Sequence, residues 1–164
     1  MYDQSKDLLD ALRAGTDVLE GLLVGCGDDE ARAARGGDEG WSVVEVVCHL
    51  RDAEERAAER VRMMLAEVEP FLAAYDQNVW ARERDYAGAT LRPAVAAFAR
   101  FRAAHVAQLE GLDAGGWART GRHEEQGTIT IASHALHMAS HDASHGAQIA
   151  RALDRARGAA APHG

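Results

Sequence analysis

The stretch Ile131-Ala132-Ser133-His134-Ala135-Leu136-His137-Met138-Ala139-Ser140-His141-Asp142-Ala143-Ser144-His145 decides how the rest of the chain is read. Half of the chain's eight histidines fall within twelve of its residues. On an α-helix each residue advances about 100°, so His141 and His145 are about 40° and one turn apart. His134 and His137 fall on nearly the same stripe. Imidazole is the commonest metal-ligating side chain, and histidines at i and i+4 can aim two ring nitrogens at one point. Burying four imidazoles on one stripe costs free energy unless something pairs with them. The stretch therefore predicts a metal-binding helix whose remaining ligand comes from elsewhere in the fold.

Composition sets the surroundings of that helix. Ala, Leu, Val, Arg and Glu dominate and aromatics are scarce, which predicts an all-α domain. The alternation Thr128-Ile129-Thr130-Ile131 is too short to found a sheet. At 164 residues the chain is read as one domain over 1–157, with 158–164 (including His163) as a flexible tail. A net charge of −8 argues against nucleic-acid binding. The basic residues from Arg92 to Arg102 are interspersed with alanines and phenylalanines and read as a solvated helix face. No apolar run reaches the roughly 20 residues a membrane helix needs, and the polar, acidic start is unlike a signal peptide. Cys26 and Cys48 match no zinc or redox spacing, so they read as free thiols of a cytoplasmic protein.

Working outward, a first helix is expected over about Asp3 to Val24, ended by Gly25-Cys26-Gly27. Asp28 to Gly40 reads as a loop. Ser42-Val43-Val44-Glu45 fits a capping box, with Trp41 and Val46 placed as a hydrophobic staple. A core stripe from Val43 to Leu65 follows, before Pro70, and His49 borders it about one turn in. Pro70 to Gly88 reads as a long aromatic connection holding Tyr75, Trp80 and Tyr86. Thr90 caps a third helix whose stripe passes through Phe98, Phe101 or Arg102, and His105. Asp113 to Ile129 reads as a loop, and Thr130 caps the histidine helix, which is expected to run to about Arg157. Four amphipathic helices with one long connection predict a four-helix bundle.

A catalytic zinc site has three protein ligands and an open position. His141 and His145 supply two from one helix. The third comes from another helix, with His49 ahead of His105 and His123 because it borders a core face. Asp52 and Asp142 are candidates for orienting ligands or relaying a proton, as is His123.

The segments Trp41-Ser42, Glu45-Val46-Val47-Cys48-His49-Leu50 and His141-Asp142-Ala143-Ser144-His145-Gly146-Ala147-Gln148-Ile149 together resemble the DinB/YfiT-like family of metalloenzymes. Pro70, Asp76, Trp80 and Tyr86 resemble its aromatic crossover. Arg122-His123 and Gly127 through Ile131 resemble the stretch before its last helix. The resemblance implies a four-helix bundle with a long crossover between helices 2 and 3, and a divalent metal, zinc or nickel, on His49, His141 and His145. It leaves His137 and His134 as pocket-lining residues. It further implies an enzyme of detoxification or stress response. The leading expectation is a transferase joining a low-molecular-weight thiol of the bacillithiol or mycothiol type to a small electrophile. A metal-dependent hydrolase and a non-catalytic metal-binding protein are the alternatives. The sequence leaves the oligomeric state open, with a homodimer as the candidate that dimerising relatives and the aromatic area of the crossover suggest.

Overall fold

The computed structural model describes residues 4–36 and 40–160. Its elements in order are α1 (Gln4–Leu22), α2 (Asp28–Ala33), α3 (Val43–Ala66), β1 (Phe71–Leu72) and α4 (Gln77–Glu83). A 3-10 turn (Tyr86–Gly88), α5 (Leu91–Leu109), α6 (Ala114–Trp117), β2 (Thr120–His123), β3 (Gly127–Thr130) and α7 (Ile131–Ala160) complete them. Asp3, where the first helix was expected to begin, and residues 161–164 of the expected tail lie outside the described residues. Residues 158–160 continue α7 as helix. No helix among the described residues is long and apolar enough to cross a membrane.

Local chemistry explains the helix starts. The Ser42 hydroxyl accepts from the Glu45 amide at 3.3 Å, and the Glu45 carboxylate accepts from the Ser42 amide at 2.8 Å, the reciprocal capping box expected for α3. Trp41 and Val46 are buried in one apolar cluster. At α7 the Thr130 hydroxyl accepts from the Ser133 amide at 3.0 Å. Thr90 precedes α5 without a side-chain cap; the Leu91 amide donates instead to Asp28 at 2.7 Å.

The apolar core falls into two clusters. One takes Leu19, Val43–Leu50 residues of α3, Leu91 and Phe98 of α5, and Ile149 and Leu153 of α7. The other takes Leu8 and Leu12, then Ala57, Val61 and Met64, then Val106 and Leu109, then Ile131 and Met138. Thus α3 and α5 both run from the first cluster to the second, while α1 and α7 run the opposite way. Two parallel helices in succession need a connection that travels back along the bundle, and residues 67–90 do so.

Between the two clusters the junction positions are polar: His49 and Glu54 on α3, Arg102 and His105 on α5, His141 and Asp142 on α7. Arg102 donates to both Glu54 oxygens at 2.8 Å, to Asp142 at 2.7 Å and to the Leu12 carbonyl at 2.6 Å. The His105 Nδ1 lies 2.7 Å from Glu54 Oε1. Burial alone raises the Glu54 pKa, but the bonds from His105 and Arg102 outweigh it and hold the carboxyl at about 2. Gly15 lets α1 approach this cluster, because a Cβ there would fall 2.5 Å from Asp142 Oδ2.

Three sequence expectations are corrected. The segment from Asp28 is a short helix, favoured by Asp28, Asp29 and Glu30 in its first turn and by burial of Ala31. Thr128–Thr130 does pair, in a three-stranded sheet ordered β1-β2-β3, because β2 folds back on it as a short antiparallel hairpin and the parallel β1 extends β2 from distant sequence. Gly121 on β2 permits that sheet to press on the bundle, since a Cβ there would lie 3.0 Å from Met64 Cγ of α3. Arg102 belongs to no solvated face; it is 2 % exposed and ion-paired in the interior.

His134 is also interior, with its Nε2 unpartnered among the described residues and its ring 6.4 Å from that of His105. Burial first, then His105, Arg60 and His137, push its pKa down from 6.5 to about 3. The unfolded chain therefore takes up a proton that the folded protein refuses. The stabilisation is present above the ordinary pKa of 6.5 and is lost as pH falls toward the folded value of about 3. Between about pH 7 and about pH 5 this residue should remove roughly 2 kcal/mol of stability. Urea unfolding of His134→Leu at the two pH values should show an acid loss smaller by that amount; an unchanged loss would exclude His134 as its source.

Candidate metal centre

His49 stands in the second turn of α3, past the capping box. His141 and His145 stand one turn apart on α7, which packs against α3. The three rings converge, with centroid separations of 4.9 Å for His49–His141, 4.8 Å for His49–His145 and 4.5 Å for His141–His145. One ring nitrogen of each lies within 4.8 Å of the others. Among the described residues no fourth His, Cys, Asp or Glu joins this group.

Several contacts orient the rings. Trp41 packs on His49 at 5.2 Å between centroids and meets Tyr86 edge-on at 6.3 Å. Gln148 reaches His145 through Oε1, 2.7 Å from Nδ1, while its own Nε2 donates to the Gly36 carbonyl at 2.9 Å. That second bond fixes which end of the amide faces the imidazole. An amide oxygen can only accept, so His145 carries its proton on Nδ1 and presents a lone pair at Nε2.

The electrostatics suit a cation. Burial first, then His145, push the pKa of His49 down to about 4 and that of His141 to about 2. Both are therefore neutral at ordinary pH, the form in which imidazole ligates. The Nε2 atoms of His49 and His141 lie 2.9 Å apart, so without a proton or a cation between them two lone pairs would face each other. Three convergent imidazoles fit a divalent first-row metal.

A cleft of about 330 Å³ opens onto this group, lined by His49, His141, His137, His123, Arg60 and Tyr75 among others. The crossover forms one wall, where Tyr75 stacks on Trp80 at 4.1 Å and Arg84 covers Trp80 at 4.0 Å. A larger apolar groove of about 450 Å³ lies between α1 and α7, lined by Ala11, Val18 and Gly146 among others, and includes none of the three histidines.

The remaining site expectations separate. His137 lines the cleft, 6.2 Å from His141 ring to ring, and so does His123. His134 is not among the cleft-lining residues; two turns before His141 on the same stripe, it has passed into the lower core beside His105. Asp52 accepts from Tyr86 at 2.6 Å, Arg51 at 2.7 Å and Arg84 at 3.0 Å, tying the crossover to α3. Asp142 turns to Arg102, on the far side of α7 from the cleft. His105 is consumed by Glu54. Sequence reasoning missed Gln148, although its i+3 spacing from His145 was a usable signal. It also missed Arg60, Tyr75 and Gln126, whose helix or loop positions carry no such signal.

A four-helix bundle with a long crossover and three histidines meeting from two helices defines the class of protein. The chain belongs to the DinB superfamily, whose sequence pattern matches residues 11–149. The fold is similar to that of YfiT from Bacillus subtilis, described as a probable metal-dependent hydrolase with an unusual four-helix bundle topology. That likeness has a TM-score of 0.85 at 24 % identity and covers 96 % of this chain and 90 % of the other. A Geobacillus thermodenitrificans protein named "Putative metal-dependent hydrolase" is 29 % identical over 90 residues, 55 % of this chain and 50 % of the relative. An Oceanobacillus iheyensis protein of the same description is 30 % identical over 113 residues, 67 % of this chain and 63 % of the relative. The chain thus spans less than two thirds of the length of these curated relatives.

Proposed function

We propose that this protein is a divalent-metal-dependent hydrolase of a small molecule. His49, His141 and His145 hold zinc or nickel. The observation that carries the reading is the convergence of three imidazoles beside a polar cleft with, among the described residues, no fourth His, Cys, Asp or Glu in the group. The names of the relatives support it. A metal with an open position supplies Lewis acidity and acidifies a water or thiol placed there.

The chain's own residues do the rest. Gln148 holds the His145 tautomer, and Trp41 restrains the His49 ring. Tyr75 lines the cleft and is held in place by its stack on Trp80. His137 and His123 stand in it as groups able to hold or pass a proton. Two free, buried cysteines fit a cytoplasmic setting.

Thiol transfer, implied by the family resemblance, would use the same open position, and one experiment separates the two chemistries. Protein purified without a histidine tag and loaded with zinc or nickel is assayed against esters, amides and alkyl or epoxide electrophiles, with and without a low-molecular-weight thiol. Turnover without thiol is expected. Turnover only with thiol would assign the transferase, and metal-loaded protein inert to the whole panel would favour a binding role.

A further inference from the structure

Arg60 differs from the other buried arginines of the bundle. Arg102 is paired with Glu54 and Asp142, and the half-buried Arg51 and Arg56 are paired with Asp52 and Glu59. Arg60 is 8 % exposed, yet no carboxylate lies within ion-pair distance of it among the described residues. Its Nη2 donates to the Ala73 carbonyl at 2.8 Å, and its Nε is buried without a partner. The guanidinium lies 6.0 Å from the Tyr75 ring centroid, at the wall of the cleft.

His123 lines the same cleft and is 6 % exposed. Its Nδ1 accepts from the amides of Glu125 and Gln126 at 3.2 and 3.3 Å, in the turn between β2 and β3. A nitrogen that accepts two N–H groups carries no proton, so the neutral ring has its N–H at Nε2. Arg60 and His123 are near enough for the arginine charge to lower the histidine's pKa, after burial itself. Glu59 and Glu125 act on Arg60 electrostatically, but Glu59 is half-exposed and paired with Arg56, Glu125 is exposed at the turn, and neither is within ion-pair distance of Arg60.

A buried guanidinium without a counter-charge is costly to the free protein. The planar fork of arginine matches the paired oxygens of a carboxylate or phosphate. We propose that the cleft takes a ligand bearing an anionic oxygen group, a carboxylate or a phosphate, held by Arg60 with His123 as second donor, in the cleft that His49 and His141 also line. This names the substrate class for the hydrolase reading and rests on that reading only for calling the ligand a substrate.

The test uses the full chain, metal-free and zinc-loaded, with inorganic phosphate and succinate as separate probes at constant ionic strength. The arginine Nε–H resonances of nitrogen-15-labelled protein report binding, the Arg60 signal being the one lost in Arg60→Met. In metal-free protein at least one anion should shift that signal saturably. Affinity should fall by about tenfold or more in Arg60→Met, by isothermal titration, and be partly kept in Arg60→Lys. Phosphate alone or succinate alone as the effective probe identifies which oxyanion the site takes. No saturable shift with either anion, or equal affinity in folded Arg60→Met, overturns the proposal. Because the metal-free arm needs no metal, its result stands whether or not the triad binds zinc, so the two readings fail separately.

Discussion

Replacing His49, His141 and His145 together by alanine should reduce bound metal from about one ion per chain to none. The expectation follows from a group that contains all the convergent donors: three imidazoles and, among the described residues, no further His, Cys, Asp or Glu. With none of the three left, nothing at the site can ligate. Gln148→Leu should act more mildly, lowering affinity by roughly 10- to 100-fold, because it releases the His145 tautomer and ring without removing a donor. Elemental analysis after dialysis against a weak chelator, with circular dichroism to verify the fold, measures both. Metal retained at full stoichiometry by the triple variant would remove the triad as the site.

The second large effect concerns stability. Arg102→Met should destabilise the fold by about 3–5 kcal/mol, because it leaves Glu54 ionised, buried and without its two-point partner. The carboxylate is 0 % exposed, and only the His105 bond would remain to it. That loss is a large part of the roughly 5–15 kcal/mol that holds a typical domain folded. A double variant, Arg102→Met with Glu54→Leu, should recover part of it, since Glu54 is no longer stranded while the buried Asp142 and His105 still lose their partners. Urea midpoints of the single and double variants decide the matter. A loss below about 1 kcal/mol in the single variant would mean that water reaches Glu54 and that the interior is wetter than the burial implies.

These two results separate what was legible in the residues from what was not. The capping box at Ser42 and the Thr130 cap are local, made by groups three residues apart, and the sequence states them directly. The i and i+4 pair His141–His145 is equally local. The sheet is different: Thr128 to Ile131 has strand character and its partner Thr120–His123 is the neighbouring arm of a hairpin. The third strand, Phe71–Leu72, joins that arm from far upstream, so the alternation by itself looked too short to matter. Arg102 misled for the same reason. Its partner Glu54 is 48 residues away; the helical stripe offered Arg102 as an alternative to Phe101, but nothing local shows a carboxylate waiting for it. The acidic start of α2 was readable as a helix signal and was outweighed by the glycines around it.

Helical periodicity and caps by themselves determined the four long helices, the long connection after α3, and a pair of histidines able to share one ion, because those signals repeat within a few residues. Only the tertiary structure decided that His49, 92 residues before His141, brings Nε2 within 2.9 Å of it. It likewise decided that His134, on the same stripe as His141, faces the core rather than the cleft, and that Arg60, without an ion-pair partner among the described residues, lines the same cleft as His49 and His141. Each depends on how helices from distant sequence register against one another, and helical spacing along one segment carries no information about that register.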